Sequence, residues 1–328
     1  MIDVARLAGV SQQTVSRVLN DSAYVGDELR QRVETAVLEL GYRRNRAARA
    51  LVTRQSMHVG VIAVGTTKFG PAQALFGIAA QARKLGYATS IMSLEDPDRA
   101  SMDMAIRELV VEDVDGIVVL APTVAASEAV DAMSIPLPMI MYKPGAGEHR
   151  RMFAHDEQQA SYEATRHLLD LGHPTVHHLA GQDNWLGTRE RMRGWARALE
   201  EAGRFQPTPF AGDWSAASGY SVGLRLLAQD SPTAVFVAND QMALGFLKAV
   251  EESGLRVPHD ISVVGFDDIP EAAFFQPALT TVHLDFMEVG RRCFDRVIEL
   301  IRGGDASPVP LVAPYLVGRS STAPYQAP

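Results

Sequence analysis

From residue 59 onward, short apolar runs alternate with longer stretches of helical periodicity, and this alternation constrains the fold more than any other feature. Seven apolar runs occur, at 59–64, 88–94, 116–120, 138–142, 176–180, 234–238 and 261–266. Runs of this length between helices are typical of strands that are buried on both faces of a parallel sheet. Because the pattern occurs twice, we predict two doubly wound α/β lobes behind a smaller N-terminal unit.

The predicted lobes lack the glycine-rich signatures of nucleotide-binding sheets. Neither G-x-G-x-x-G after the first strand nor G-x-x-x-x-G-K is present, which argues against a dinucleotide or a nucleoside triphosphate. Two lobes of this kind place a ligand in the cleft outside the carboxyl ends of their strands. Residues that follow the predicted strands are therefore the candidates for a binding site.

Polar side chains follow two strands of the second predicted lobe. Asn239 and Asp267 stand at these strand ends, while Arg191 lies on a predicted helix and Trp214 in a loop. This combination suits a sugar, because the polar groups bond its hydroxyls and the aromatic ring covers its C–H face. Asn239 and Asp267 are explained equally well as N-caps of the helices that follow them. The residues alone leave both interpretations open.

The first twenty residues predict two short helices around a tight turn. Gly9 can adopt the positive φ that ends a helix, and Ser11 is a suitable N-cap for the next one. Small Ala5 allows a close crossing of the two helices. The residues expected to be apolar contacts are Val4, Leu7 and Ala8 on the first helix and Val15, Val18 and Leu19 on the second. This arrangement is that of a helix-turn-helix.

The outward face of the second helix carries Gln12, Gln13, Ser16 and Arg17. Amides and a guanidinium are the groups that read adenine and guanine edges in the major groove, and recognition helices make base contacts from their first turns. The pattern therefore favours DNA reading over an arbitrary helical bundle with polar surface residues. We expect double-stranded DNA as one partner of this chain.

A third helix is predicted over about 27–40, with Leu29, Val33, Val37 and Leu40 at helical spacing. Residues 43–51 then form a good helix-forming segment of about two turns, which is too short to be stable alone in water. Such a segment needs a partner to fold. A simple linker helix between domains is the alternative interpretation.

The charge distribution agrees with a DNA-reading head. The chain of 328 residues carries a net charge of -8, yet residues 1–58 hold nine arginines against six acidic residues. A basic head on an acidic body is expected when one domain alone approaches phosphate. No leader precedes this head and no apolar run could span a bilayer, so we expect a cytoplasmic protein without a membrane partner.

Catalysis and metal binding receive little support. Adjacent His177 and His178 would point to opposite faces of a strand, and no H-x-x-x-H or C-x-x-C accompanies them. The single cysteine, Cys293, is interpreted as a buried apolar residue in a reducing compartment. We therefore expect no enzyme activity, no cofactor and no metal. A transport-type binding protein has the same two lobes but lacks a DNA-reading head and carries a signal peptide.

Several motifs resemble the lactose-repressor (LacI/GalR) family over essentially the whole chain. They are S-Q-Q-T-V-S-R-V-L-N at 11–20, Y-R-R-N-R-A-A-R-A-L at 42–51, G-D-W-S-A-A-S-G-Y at 212–220, most of 237–268, and L-T-T-V at 279–282. The resemblance implies an α/β protein with a small all-α helix-turn-helix head and a bilobal, periplasmic-binding-protein-like (type I) doubly wound domain. It implies domains at 1–44 for the head, 45–58 for a hinge helix and linker, and 59–328 for ligand binding and dimerisation. A sugar inducer is then the expected ligand.

The resemblance also assigns site residues by position. It implies DNA contacts from Gln12, Gln13, Ser16, Arg17, Asn20, Tyr42, Asn45, Ala48 and Leu51. Leu51, with Ala48 beside it, is implied to be the wedge that enters the minor groove between central base pairs. It implies a ligand site made by Pro71, Phe153, Arg191, Trp214, Asn239, Asp267 and Phe286.

Some positions depart from the family pattern. Where the family's sugar site has an Asp, an Asn and a Gln, this chain has Lys143, Leu120 and Leu284. The second-lobe half of the site is thus kept and the first-lobe half is changed, which leaves a galactoside, another glycoside or an oligosaccharide open. The chain also starts at Met1 without the family's capping threonine, and no heptad tail follows residue 322. We therefore expect a homodimer that reads a palindrome, not a tetramer.

Overall fold

The computed structural model describes residues 1–19, 24–42, 55–95, 97–145, 152–153, 155–304 and 312–326. The chain divides into two compact units, Met1–Ser56 and Met57–Pro328. Most of the predicted hinge at 45–58 lies outside the described residues, so the division into a head at 1–44, a hinge at 45–58 and a ligand-binding domain at 59–328 stays a prediction. No helix in the described ranges is long and apolar enough to cross a membrane.

The N-terminal unit, called the head, contains three helices: α1 (Ile2–Ala8), α2 (Gln12–Leu19) and α3 (Asp27–Glu39). Gly9 ends α1 in the left-handed conformation with φ 62°. Ser11 Oγ accepts a hydrogen bond of 3.0 Å from the Thr14 amide and so caps α2. The predicted turn and cap are thus confirmed. The buried residues of the head core are Val4, Ala5, Ala8, Val15, Val18, Val33 and Ala36.

Three predicted core positions of the head are wrong. Leu7, Leu29 and Leu40 are 50%, 37% and 46% exposed, respectively. The three helices are short, so their common core is narrow and accepts only the centre of each apolar stripe. Ala36, which was not predicted, is buried instead because it lies one helical turn from Val33.

The first lobe is a parallel five-stranded sheet between two layers of helices. Its strands are β1 (His58–Val64), β2 (Ala88–Leu94), β3 (Gly116–Leu120), β4 (Met139–Tyr142) and β5 (Met152–Phe153). Their order across the sheet is β2-β1-β3-β4-β5. Its first three helices are α4 (Phe69–Lys84), α5 (Arg99–Val111) and α6 (Val124–Asp131). Separate apolar clusters fill the two faces of the sheet, as expected for a doubly wound arrangement.

The second lobe repeats this plan with six strands. They are β6 (His177–Ala180), β7 (Phe210–Ala211), β8 (Ala234–Val237), β9 (Ser262–Asp267), β10 (Thr280–His283) and β11 (Tyr315–Val317). Their order is β11-β10-β9-β8-β6-β7, with only β11 antiparallel to its neighbour. The helices are α7 (Glu157–Asp170), α8 (Leu186–Glu201), α9 (Ala216–Gln229) and α10 (Asp240–Glu252), with a 3-10 turn at Pro270–Phe274.

The final helix, α11 (Phe286–Ile301), returns to the first lobe. Its inner face, including Cys293 and Phe294, packs with α4 against the first sheet. Cys293 is fully buried, as predicted, and burial raises the pKa of its thiol. All seven predicted strands are present with ends that shift by one residue at most. The two doubly wound lobes are thereby confirmed.

Candidate functional site

A cavity of about 290 Å³ lies where the carboxyl ends of the two sheets meet. Both lobes contribute to its wall, and ligands of open α/β sheets bind in such a crevice outside the carboxyl ends of the strands. Its lining residues are Thr67, Lys68, Phe69, Gly70, Pro71, Pro122, Tyr142, Pro144, Glu157, Trp185, Gly187, Arg191, Trp214, Ser215, Ala216, Asn239, Gln241, Asp267 and Phe286.

A buried ionic cluster forms the polar wall of this cavity. Arg191 of α8 donates from Nε to Glu157 Oε2 at 2.8 Å, and its Nη2 lies 3.4 Å from Asp267 Oδ1. The same guanidinium also donates to the carbonyl oxygen of Ala238. All three ionic side chains are less than 10% exposed. One cation therefore serves two carboxylates inside the protein.

The imbalance of charge affects protonation in the cluster. Burial raises the pKa of Asp267 to about 8, although Arg191 acts in the opposite direction. Burial lowers the pKa of Arg191, but the carboxylates of Glu157 and Asp267 outweigh it and the pKa is raised overall. Burial likewise raises the pKa of the neighbouring Asp240 to about 7, against hydrogen bonds from Thr281 and the Ile269 amide. Asp267 can thus donate or accept a hydrogen bond near neutral pH.

Two tryptophans enclose the same space. Trp214, with φ 73°, precedes α9 and lies over Gly181, where an added Cβ would fall 2.1 Å from the indole ring. The Trp185 ring meets it edge-on with a centroid distance of 5.6 Å. Trp214 is 8% exposed, and its Nε1 has no hydrogen-bond partner among the described residues. A buried indole N–H of this kind needs an acceptor, which a ligand could supply.

Asn239 is a helix cap, which is one of the two roles that the sequence left open. Its Oδ1 accepts a hydrogen bond of 3.1 Å from the Met242 amide and caps α10, while its Nδ2 donates to the Trp214 carbonyl at 3.1 Å. It therefore caps a helix and also holds the loop that carries the indole ring. Asp267, at φ 104°, ends β9 and faces Arg191, so its described contacts are those of the ionic cluster.

The first-lobe wall is mainly apolar in contrast, with Thr67 and Lys68 as its polar members. Phe69, Pro71, Pro122 and Pro144 line it, and the Tyr142 hydroxyl lies 3.2 Å from His155 Nδ1. The three positions that depart from the family pattern do not line the cavity. Lys143 Nζ bonds Ser127 Oγ at 3.2 Å, and Leu120 and Leu284 are buried in the cores.

Three contacts join the lobes beside the cavity. Lys68, the residue before α4, donates from Nζ to the Asp213 carbonyl at 3.1 Å. The Val124 amide donates to the Asn184 carbonyl at 2.9 Å, and the Leu186 amide donates to the Pro122 carbonyl at 2.8 Å. The described structure therefore has its lobes tied together across the cleft.

Most of the sequence-predicted ligand residues meet at this cavity. Those that line it are Pro71, Arg191, Trp214, Asn239, Asp267 and Phe286. Phe153 lies on β5, and its side chain is outside the described part of the structure. Sequence reasoning missed Glu157, Lys68 and Trp185. A cation expected at a buried position of a helix requires a nearby anion, and that requirement could have pointed to Glu157.

Three of the predicted DNA-contact residues lie on the surface of the head. Gln12, Gln13 and Arg17 are exposed on α2, and Ser16 is half-buried. Tyr42 is half-buried and packs against the head core. Asn20, Asn45, Ala48 and Leu51 lie outside the described residues. The exposed side chains of α2 are thus polar from its first turn, with Gln12 and Gln13, to its last turn, with Arg17.

The histidine pair offers no alternative centre. His178 Nδ1 lies 2.9 Å from the Phe236 carbonyl oxygen, and burial lowers the pKa of this histidine to about 4. His177 faces Asp230 at 3.7 Å. Within the described ranges, no group of three His, Cys, Asp or Glu residues could hold a metal ion.

Comparison with protein families agrees with this architecture. Residues 1–45 match the family described as bacterial regulatory proteins, lacI family, and residues 165–322 match the periplasmic binding protein-like domain. The lactose operon repressor of Escherichia coli K12 is 35% identical over 327 residues, covering 98% of this chain and 90% of that protein. The HTH-type transcriptional repressor PurR of Vibrio parahaemolyticus is 32% identical over 310 residues, covering 92% and 91%.

Solved structures give the same result. The lac repressor dimer bound to operator and the anti-inducer ONPF matches with a TM-score of 0.87 and 34% identity, covering 98% of both chains. A complex of the transcriptional regulator CelR with cellobiose matches with a TM-score of 0.72 and 27% identity, covering 97% of this chain and 98% of that one.

The head, the paired lobes and the cavity define a DNA-binding transcriptional regulator with a two-lobed sensing domain. Similarity to repressors over nearly the full chain places the protein among regulators and not among enzymes. The chain belongs to the lacI family of bacterial regulatory proteins.

Proposed function

We propose that this chain is a sugar-responsive repressor of the cytoplasm that binds a palindromic operator as a homodimer and is released by a glycoside or another sugar. Its relatives include the lactose operon repressor, and one structural neighbour is a regulator in complex with cellobiose. A galactoside is one candidate effector among several. The proposed ligand residues are the seven that the sequence indicated, together with Glu157 and Trp185.

One observation carries the proposal: a polar wall faces an aromatic and apolar wall across a closed cleft. Arg191, Asp267 and Asn239 offer charged and amide groups for hydroxyls, and the Trp214 N–H is without an acceptor among the described residues. A pyranose has hydroxyls at its edge and C–H groups on its faces, which suits both walls at once. The cavity is therefore matched to a neutral polyol ring.

The effector acts on DNA binding only through a preference between lobe arrangements. A ligand that contacts both walls favours the arrangement in which the lobes approach each other. If operator binding favours a different arrangement, the effector weakens operator affinity, and the operator must weaken effector affinity by the same factor. The polar surface of α2 and the arginine-rich hinge segment would supply DNA affinity that decreases steeply with salt.

The test begins with a calorimetric and thermal-shift screen of the purified protein against mono- and disaccharides. A duplex that the protein selects from a random library then serves for an operator-release titration with the sugar that binds. The proposal expects saturable binding of one sugar and release of the selected duplex by that sugar. Absence of sequence selection, or a bound sugar that leaves duplex affinity unchanged, would overturn it.

Variants of the ionic cluster sharpen the test. Arg191→Ala and Asp267→Asn should still bind the selected duplex but should no longer release it at sugar levels that free the parent protein. Arg191 offers charge-assisted hydrogen bonds worth about 1.5–3 kcal/mol each, and Asp267 offers them when a bound hydroxyl favours its ionised form, which an amide cannot adopt. Arg193→Ala is the matched control, since Arg193 lies on the same helix in an ion pair with Glu190 and is 61% exposed. A folded Asp267→Asn protein that responds like the parent would mean that the sugar site lies elsewhere.

A further inference from the structure

Arg32 of α3 reaches back to the end of α1 in the head. Its Nη2 donates to the Ala8 carbonyl at 2.6 Å and lies 3.4 Å from the Gly9 carbonyl. These carbonyls belong to the last turn of α1, where intrahelical donors are lacking. A cation at this end of a helix also interacts favourably with the helix dipole. The contact is thus a charge-assisted cap supplied by a different helix.

Gly9 lies at the same contact. Its φ of 62° favours glycine, and a Cβ added there would lie 2.7 Å from Arg32 Nη2. The left-handed backbone is the reason that this position favours glycine, since the end of the flexible Arg32 side chain could move aside from a Cβ. The Arg32 guanidinium occupies the space that this glycine leaves at the turn between α1 and α2.

The turn leads directly into the DNA-reading surface. The Val10 amide donates to the Ala5 carbonyl at 3.0 Å, and Ser11 caps α2 immediately afterwards. Gln12 and Gln13 are the next two residues, so any rotation of the turn moves both amides. The buried residues of the head core are valines and alanines, whose small side chains make few contacts across the helix crossings.

We propose that Arg32 is a positioning residue, which fixes the α1–α2 turn so that the first turn of α2 meets base edges in the correct orientation. The inference rests on the proposed DNA-reading function. Arg32 acts through the Ala8 and Gly9 carbonyls and not through a base or a phosphate. Its removal should therefore reduce discrimination between sequences more than affinity for DNA in general.

The experiment compares full-length parent, Arg32→Met and Arg32→Lys proteins on three DNA probes. The probes are the duplex selected by the parent, the same duplex with single base changes at each half-site position, and an unrelated duplex. Arg32→Met should lower discrimination about tenfold, the factor expected for one charge-assisted hydrogen bond, and change binding to the unrelated duplex about twofold or less. Arg32→Lys keeps one donor for Ala8 and should restore part of the discrimination.

Arg6→Met is the matched control because it removes the same charge from the head. Arg6 lies 3.6 Å from Asp3, and both side chains are more than 75% exposed. This variant should keep the discrimination of the parent. The melting temperature of each protein is measured in parallel, so that discrimination is compared between folded proteins.

Three results would overturn the inference about Arg32. An equal loss of affinity on every duplex, with a salt slope reduced by about one, would identify a phosphate contact. A lower melting temperature with unchanged discrimination would identify a purely structural cap. Equal loss of discrimination in Arg6→Met would identify an effect of charge alone. If the parent selects no sequence, the proposed function itself is wrong and the inference is overturned with it.

Discussion

Asp267 Oδ1 lies 3.4 Å from Arg191 Nη2, yet the pKa of Asp267 is raised to about 8 because burial outweighs this pairing. The second carboxylate on the same guanidinium, Glu157, is closer to it at 2.8 Å. Arg191 is therefore an incomplete counterion for Asp267. The carboxyl group gains a proton more readily in the folded chain than in the unfolded chain.

This relationship predicts how stability depends on pH. The folded-state pKa of Asp267 exceeds its unfolded value, so the folded protein binds the extra proton between about pH 4 and about pH 8, and its stability falls as pH rises through that range. The Asp267→Asn variant cannot bind this extra proton. Its free energy of unfolding should therefore change between about pH 4 and about pH 8 by at least about 1 kcal/mol less than that of the parent. Denaturation at several pH values measures the difference. Asp240, whose pKa is raised to about 7, should leave a residual slope in the same direction. Parallel pH profiles for parent and variant would contradict the prediction.

Trp214→Phe separates the indole N–H from the ring surface. The aromatic cover remains, but the donor that has no partner among the described residues is lost. Affinity for the effector should fall about fivefold, corresponding to ~1 kcal/mol for one hydrogen bond, while the melting temperature stays close to that of the parent. Trp195→Phe is the contrast, because Trp195 Nε1 donates to the Val176 carbonyl at 2.8 Å inside the second lobe. That variant should lose stability instead. Unchanged effector affinity in Trp214→Phe would show that the N–H faces away from the ligand.

Lys68→Met removes a contact between the lobes. Lys68 bonds the Asp213 carbonyl, and its loss should weaken the closed arrangement and lower effector affinity about two- to fivefold, since an exposed charged contact contributes only ~0.5–1 kcal/mol. Lys84→Met, at the exposed far end of the same helix, is the control. Calorimetry on both variants tests this. If Lys68→Met binds the effector as tightly as Lys84→Met does, the contact of Lys68 with the Asp213 carbonyl does not stabilise the closed arrangement.

Gln13→Ala should cost about 1–3 kcal/mol on the selected duplex and relax preference at one base position of each half-site, as loss of a bidentate base contact does. Gln13 is exposed in the first turn of α2. Gln31→Ala removes the same side chain from the exposed face of α3 and should leave the preference intact. Binding to the full set of single-base duplexes gives both results. Retained preference at every position would place base reading on other residues.

Cys293 should report the opening of the first lobe. Its side chain is fully buried between α4 and the sheet, so a reagent cannot reach it. Burial also raises the pKa of the thiol, which lowers the fraction of the reactive thiolate. A maleimide should label it only as fast as the lobe unfolds, whereas a thiol introduced by Ser221→Cys on the exposed side of α9 should react at once. Mass spectrometry over time distinguishes the two. Rapid labelling of Cys293 under native conditions would contradict its placement.

The second-lobe half of the cavity could be predicted from the sequence because the carboxyl ends of parallel strands lie at the same edge of a sheet. Asn239 and Asp267 follow strands with clear apolar patterns, so their meeting place follows from topology. Glu157 gives no such signal, since the strand before it, Met152–Phe153, is only two residues long. Its position depends on how α7 packs beside α8, which is a tertiary property.

Two other features also depend on packing. The antiparallel strand Tyr315–Val317 has three residues, too few for periodicity to show, and it is defined by its pairing with β10 and by the packing of Leu316 against the second-lobe core. In the head, Leu7 has the spacing of a core residue but lies at the margin of the stripe and stays half exposed. Apolar periodicity indicates which face of a helix is inward and does not indicate how wide the covered face is.

The return of α11 to the first lobe has a consequence for biosynthesis. All five strands of the first sheet have been translated once residue 153 is added, but one face of that sheet needs Val289, Phe294 and Val297 to complete its core. At ~5–20 residues per second, a ribosome requires roughly 7–30 seconds more to reach the end of α11. Until then the nascent first lobe lacks the residues that complete this core, and it can finish folding only after most of the second lobe has been translated.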